Sequence, residues 1–403
     1  MKVTILIFLL CSVFTLGQNI QGVQVFNPNT QDETPVIELG KGQLILRFDD
    51  LDNTNQLYRY TIKHVDRNWQ EDGLFFSEYA DGAMNGILEN YKSSFNTLQR
   101  YTHYSLSFPN EKIRPKISGN YLLIIYKDRP EKPLLVQRFV IVENMQNTAI
   151  SVERYADAKF PNLKQRVQVR LGNQGGLNQN LATATISIMQ DNNWATTIGN
   201  LKPSLVVGND LLFQQLNIAF PGNNQFYYFD SKNMMVPVDR VARVSSENGV
   251  NETILFPVMA YPFDYQYQPD VHGAFYFRRN DNGIERDANT EADYTWVHFV
   301  LDSEPMEDKE IYVLGKFNEY LTNPAYKMQY VPELKQYIAR IYLKQGFYNY
   351  ILATKDKSGM VNMGEINGNF WQTTHLYQVI SYYKSWTKNY DGAYSYGELR
   401  PVE

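Results

Sequence analysis

The chain of 403 residues holds one cysteine, Cys11, five histidines and no surplus of positive charge. A single cysteine closes no intrachain disulfide. Because Cys11 falls within the first 18 residues, a mature chain that loses them has no thiol nucleophile. Lys and Arg number 38 against 43 Asp and Glu, for a net charge of -5 and a pI near 5.7. That balance argues against a nucleic-acid binder, whose footprint is a strongly basic face. No segment after the first 18 residues reaches the run of about 20 apolar residues that a spanning helix needs. The sequence contains neither a Gly-x-Ser-x-Gly elbow nor a glycine-rich phosphate loop. His64, His103, His272, His298 and His375 lack metal-ligand spacing. A zinc site needs three or four converging ligands, so histidines satisfied by structural hydrogen bonds are the simpler reading. A glycosidase pair of carboxylates carries no weight, since 43 acids always allow one to be imagined. No catalytic, cofactor-binding or metal residue is assigned, and no enzymatic activity is expected.

Aromatic residues are abundant: 30 Tyr and 22 Phe, side chains that favour strands. With 43% hydrophobic residues the chain has enough apolar surface for packed cores, and its length suits two to four domains. Residues 1–18 read as a secretory signal: Met1-Lys2, an apolar run from Val3 to Leu16, then Gly17-Gln18. The rival, a lipobox at Cys11, has Leu10 where a small residue is needed. Export without disulfides suits a bacterial periplasm.

Along the chain the dominant period is two. Tyr58, Tyr60, Ile62 and His64 alternate with Arg59, Thr61 and Lys63, as in a half-buried strand. Leu44, Leu46 and Phe48 alternate in the same way, 121–126 is nearly all apolar, and 134–142 closes a first domain. Gly40-Lys41-Gly42 reads as a hairpin turn. The acidic run 49–53 reads as a solvated turn or, less simply, a calcium site without the spacing of a known loop. In a second domain, Val167, Val169 and Leu171, then Ala184, Ile186 and Ile188, then Leu216, Ile218 and Phe220 each share a face, with turns at 173–176 and 221–224. Residues 226–229 read as a strand packed on both faces. The Pro-bounded aromatic stretch 261–269 leads into a third domain with strands at 291–301, 311–318, 337–344 and 347–352. Asn282-Gly283 is its hairpin turn. The tail through Tyr377 to Tyr383 is expected to complete that domain's sheet, and 390–403 to cross it. The expectation is an all-β chain of serial immunoglobulin-like β-sandwich domains at 19–144, 145–262 and 263–403.

The order of certain residues is more specific than their chemistry: Tyr60, His64 and Trp69; Glu78-Tyr79 and Gly82; Asn90-Tyr91, Ser94 and Asn96-Thr97; Tyr101 to Tyr104; Phe108 to Asn110; Gly119 to Tyr121. This series resembles the N-terminal domain of the type IX secretion system plug family. Glu291 to Tyr294 together with Leu343 to Tyr350 resemble the family's C-terminal region. The resemblance implies a protein of the periplasm of Bacteroidetes-type bacteria. It would bind and seal the periplasmic end of the SprA outer-membrane barrel, with no membrane insertion of its own. Trp69 and Tyr79 are the candidates for the partner-facing surface, although each also reads as core. The third domain is similar to early-set immunoglobulin modules that bind starch or glycogen, on Gly315, Phe317, Asn318, Met328 and Gly346 to Tyr350. That likeness implies an alternative, a periplasmic glycan- or cargo-binding module with Trp371, Tyr320, Phe317 and Tyr326 as platforms.

Overall fold

The computed structural model describes residues 19–400 apart from 31, 146, 157–161, 173–182, 261, 263 and 385–389. The expected signal at 1–18, the turn at 173–176, two residues of the 261–269 connector and residues 401–403 lie outside the described residues. The fold is all-β: three sandwiches, each of two sheets around its own core.

In the first sandwich one sheet orders Ile20–Phe26, Leu44–Asp50, Thr102–Phe108 and Tyr91–Ser93. The other orders Val36–Glu38, Pro133–Val142, Gly119–Tyr126, Arg59–Val65 and Gly86–Ile87. Alternation places Tyr60 and Ile62 from one sheet against Leu46 and Phe48 from the other, and apolar burial of this kind supplies most of the driving force. Gly40-Lys41-Gly42 is a turn but not a hairpin. Val36–Glu38 runs parallel to Pro133–Val142, whereas Leu44–Asp50 pairs in the opposite sheet, so the turn carries the chain across the sandwich.

The second and third sandwiches are interleaved in sequence, which corrects the boundaries at 145–262 and 263–403. The middle sandwich pairs Asn147–Arg154, Lys164–Gly172, Asp210–Phe213 and Leu205–Val207 in one sheet. Its second sheet orders Asn193–Leu201, Thr185–Gln190, Tyr377–Lys384 and Asp391–Leu399. The last two strands of the chain therefore complete the middle domain, with Ile186 opposite Ser381 and Ile188 opposite Val379. Conversely Tyr227–Asp230 belongs to the third sandwich, antiparallel to Gly346–Asp356, with Phe229 fully buried between sheets. Val241–Glu247 and Val250–Leu255 follow it there, the latter parallel to Tyr294–Asp302. Alternation marks a strand but is blind to its partner, so a pairing across some 190 residues leaves no local trace. Leu216 does not share the face of Ile218 and Phe220: it precedes the strand Ala219–Pro221 and is exposed.

Two turns show the sequence logic working. Asn282 and Gly283 both adopt positive φ between Asn280–Asp281 and Ile284–Glu285, as a two-residue hairpin requires. Gly346 opens Gly346–Asp356 with only Gln345 between it and Gln336–Lys344, and a Cβ there would meet the Tyr276 carbonyl at 2.3 Å, so only glycine fits.

Candidate functional site

The acidic run at 49–53 is only in part a solvated turn: Leu51 to Asn53 turn with Asp52 exposed, but the first two carboxylates are not in solvent. Asp49 and Asp50 end the strand Leu44–Asp50 and are fully buried. The strand's alternation turns Asp50 inward, where it accepts from the Tyr58 hydroxyl at 2.9 Å, and turns Asp49 outward toward the third sandwich. There Lys344, from Gln336–Lys344, donates to Asp49 Oδ2 at 2.6 Å and to the Asn289 carbonyl at 3.1 Å. The Tyr294 hydroxyl donates to the same carboxylate at 2.8 Å, and His103 Nδ1 lies 2.6 Å from its other oxygen. The ammonium also sits 4.2 Å from the Tyr101 ring centroid and 5.3 Å from that of Phe277. Burial alone would raise the Asp49 pKa, but Lys344 and then His103 outweigh it and hold the carboxylate below the usual aspartate range. Burial lowers Lys344, and Asp49 offsets this only in part. The asymmetry has a physical source: Lys344 has one carboxylate, whereas Asp49 gathers an ammonium, an imidazole and a hydroxyl.

A second carboxylate reaches the other way across this seam. Asp293 of the third sandwich accepts the amides of Leu98 at 2.6 Å and Gln99 at 3.0 Å, in the loop between Tyr91–Ser93 and Thr102–Phe108. The Tyr101 hydroxyl donates to the Ala292 carbonyl at 2.8 Å and the Phe95 amide to the Thr290 carbonyl at 2.8 Å. Tyr101, His103, Asp293 and Tyr294, picked out in the sequence by their order, are thus residues of an interdomain seam.

The seam between the first and middle sandwiches is built differently. Val140, Val142, Ile380, Tyr382 and Ala393 form a buried apolar cluster that Trp69 and Trp194 partly cover. Trp69 owes its place to the turn before it. Asp66 Oδ1 accepts the amides of Asn68 and Gln70, both at 2.8 Å, and Trp69 takes a φ of +65°. For a bulky residue that is an outlier worth about 1–2 kcal/mol of strain. It lays the indole edge-on to Trp194 at 4.9 Å, with the Arg138 guanidinium 5.0 Å from its ring. Trp69 is therefore a half-buried wedge between two domains. Tyr79 is 6% exposed; its hydroxyl donates to the Ile62 carbonyl at 3.1 Å and its ring packs on Phe76 and Tyr121. Burial pushes its phenol up to about 12. As a surface contact for a partner Tyr79 is ruled out by this placement: it is core of the first sandwich, because Phe76–Tyr79 is a single helical turn laid over the sheet.

All five histidines stand beside carboxylates. His64 Nδ1 is 2.5 Å from Asp72, His375 Nδ1 is 2.6 Å from Asp191, His272 is 3.4 Å from Asp270, and His298 contacts Glu252. His64 and His103 face different partners and do not meet. Among the described residues no three His, Cys, Asp or Glu side chains gather to hold a metal. His375, also 2.7 Å from the Gly222 carbonyl, lies at the junction of the middle and third sandwiches. Burial would lower its pKa; the Asp191 carboxylate outweighs this and raises it. Beside it, a recess lined by Asp191, Asn223, Phe226 and Tyr320 has room for about one water molecule. Of the four aromatics considered as sugar platforms, Tyr320 is buried, its hydroxyl donating to the Asp191 carbonyl at 3.0 Å. Phe317 and Tyr326 pack edge-on against the third core. Trp371 is half-buried and held at both backbone ends, its amide on the Asn162 carbonyl and its own carbonyl on the Gln165 side chain.

Comparison with known proteins gives a family for the first sandwich. Residues 20–143 match the type 9 secretion system plug protein 1st domain. Among solved structures, the chain is similar to a hypothetical protein from Parabacteroides merdae ATCC 43184, with 27% identity, a TM-score of 0.89, and 96% of this chain and 98% of that one covered. It also aligns with dimeric latent PorU from Porphyromonas gingivalis at 10% identity over 95% of this chain and 34% of that one, but a TM-score of 0.16 carries no argument. No curated protein matches.

Proposed function

We propose, from the match of residues 20–143 to the type 9 secretion system plug protein 1st domain, that this molecule is a periplasmic stopper. It binds the periplasmic end of the SprA-type outer-membrane barrel and seals it when no cargo occupies the pore, acting by bulk and fit without making or breaking bonds. The match over 20–143 is the observation that carries this reading.

The architecture supports it in physical terms. A barrel wide enough for folded cargo has a water-filled lumen that leaks unless filled. A 100-residue domain has a radius of gyration of about 13 Å, and three such bodies braced by buried seams present a stiff block. Among the described residues no helix is long and apolar enough to cross a membrane. A releasable plug needs a standard interface of about 1,200–2,000 Å². Copurification of the barrel with the tagged protein from a detergent extract is the direct test. Deleting the gene should also let small solutes through the outer membrane. An envelope that stays tight with the transporter still assembled defeats the reading.

A further inference from the structure

The loop 94–100 is held by polar groups on every side, yet points its large apolar side chains at solvent. Ser94 closes its base: its amide donates to the Tyr101 carbonyl at 2.8 Å, and its hydroxyl accepts the Tyr101 amide at 3.0 Å and the Thr97 hydroxyl at 3.1 Å. From the third sandwich, Asp293 takes the amides of Leu98 and Gln99, Thr290 takes that of Phe95, and Arg279 donates to the Asn96 carbonyl at 2.8 Å. With its backbone fixed from both domains, the loop leaves Phe95 71% and Leu98 53% exposed, beside the 45%-exposed Tyr91 of the adjoining edge strand. Lys92 and Arg100 flank these side chains, both exposed and neither in an ion pair among the described residues.

We propose that loop 94–100 is the anchor by which this molecule grips its protein partner. Phe95 and Leu98 enter an apolar pocket on the periplasmic rim of the barrel, and Lys92 and Arg100 meet carboxylates bordering that pocket. The inference rests on the stopper reading and adds the surface and its chemistry. Three features of the loop point to an anchor. Aromatic residues and arginine are the side chains enriched at binding hot spots. A loop already fixed by seven hydrogen bonds loses little freedom on binding. Two exposed cations with no ion pair among the described residues select an acidic border rather than a bare apolar one. Because four of those seven hydrogen bonds are made with the third sandwich, the anchor exists only while the two domains are docked.

The test uses the full chain, tagged and expressed at its natural level, and measures barrel captured from a detergent extract of the outer membrane. Phe95→Asp should lower capture roughly tenfold or more, Phe95→Ala by less, and Lys92→Glu with Arg100→Glu should weaken it and flatten its salt dependence. Leu334→Asp, at an exposed apolar residue on a different turn, should leave capture unchanged. Melting temperatures of the Phe95 variants should match the parent, since the side chain is exposed. If the parent captures the barrel and both Phe95 variants capture it equally, the anchor lies elsewhere while the stopper reading stands. A parent that captures no barrel removes that reading and the anchor with it. If the parent is a dimer that Phe95→Asp dissociates with capture unaltered, the occupant is a second copy and the proposal is overturned.

Discussion

The first sandwich meets its two neighbours through seams of opposite character. Toward the third domain it offers a buried ion pair, Asp49 with Lys344, and receives a carboxylate, Asp293, that caps two of its amides. Toward the middle domain it offers Val140 and Val142 to Ile380, Tyr382 and Ala393, under a pair of tryptophans. An apolar seam is adhesive and tolerant of small shifts. A buried ion pair contributes little net stability because desolvation offsets the attraction, yet it is unforgiving of misplacement. The contrast suggests a division of labour in which the apolar seam gives adhesion and the charged one fixes orientation and shapes loop 94–100.

The sharpest way to break the contrast is to remove one partner of the buried pair. Lys344→Met should cost about 3–5 kcal/mol in urea unfolding, since it strands the Asp49 carboxylate. Adding Asp49→Leu should recover part of this, though His103 and Tyr294 then lose an acceptor. A double variant no better than the single one would mean that the pair is not the source of the loss. Asp293→Ala should cost about 1.5–3 kcal/mol, the worth of hydrogen bonds to a charged group, and should speed amide exchange at Leu98 and Gln99. On the apolar side Trp69→Ala should cost only about 2 kcal/mol, less than the about 3–5 of a fully buried tryptophan, because the indole is half-covered. A value at the upper end would place the indole deeper than its wedge position.

The smallest effects are in pH. Asp49 has a folded value below the ordinary aspartate pKa, so its contribution is whole above about 3.9 and is lost as pH falls through the lowered value. His375 is raised, so its contribution is whole below about 6.5 and is lost as pH rises through the raised value. Glu33 follows the same sign as His375. Burial drives its pKa to about 8 against a hydrogen bond from Gln24, which also donates to the Phe275 carbonyl. Glu33→Gln should therefore flatten the decline in melting temperature between pH 4.5 and 8. An unchanged profile would show that Glu33 ionises freely.

Much of the fold was legible in the sequence, for reasons that can be traced. Tyr60, Ile62, Leu44 and Leu46 show the two-residue period that packs a sandwich, and Asn282-Gly283 carries its hairpin in its own backbone preference. What could not be read was whatever depends on a distant partner. The run at 49–53 looks like a wet turn until Lys344 and His103, 295 and 54 residues away, are brought to it. Tyr79 and Trp69 are equally prominent aromatics, but only the packing shows one in a core and the other in a seam. The order of Ser94, Thr97, Tyr101 and His103 was visible; that the same residues brace a joint between domains was not.

The pairing of Thr185–Gln190 with Tyr377–Lys384 has a consequence for assembly. A polypeptide delivered from its N-terminus can finish its first sandwich as soon as Pro133–Val142 has emerged. The middle one must wait with an open sheet edge until almost the entire polypeptide is available, and the third folds inside that interval. Clipping the final strands should therefore leave the third core standing and unravel the unit before it, so a protease acting at the tail would disable the protein from its centre.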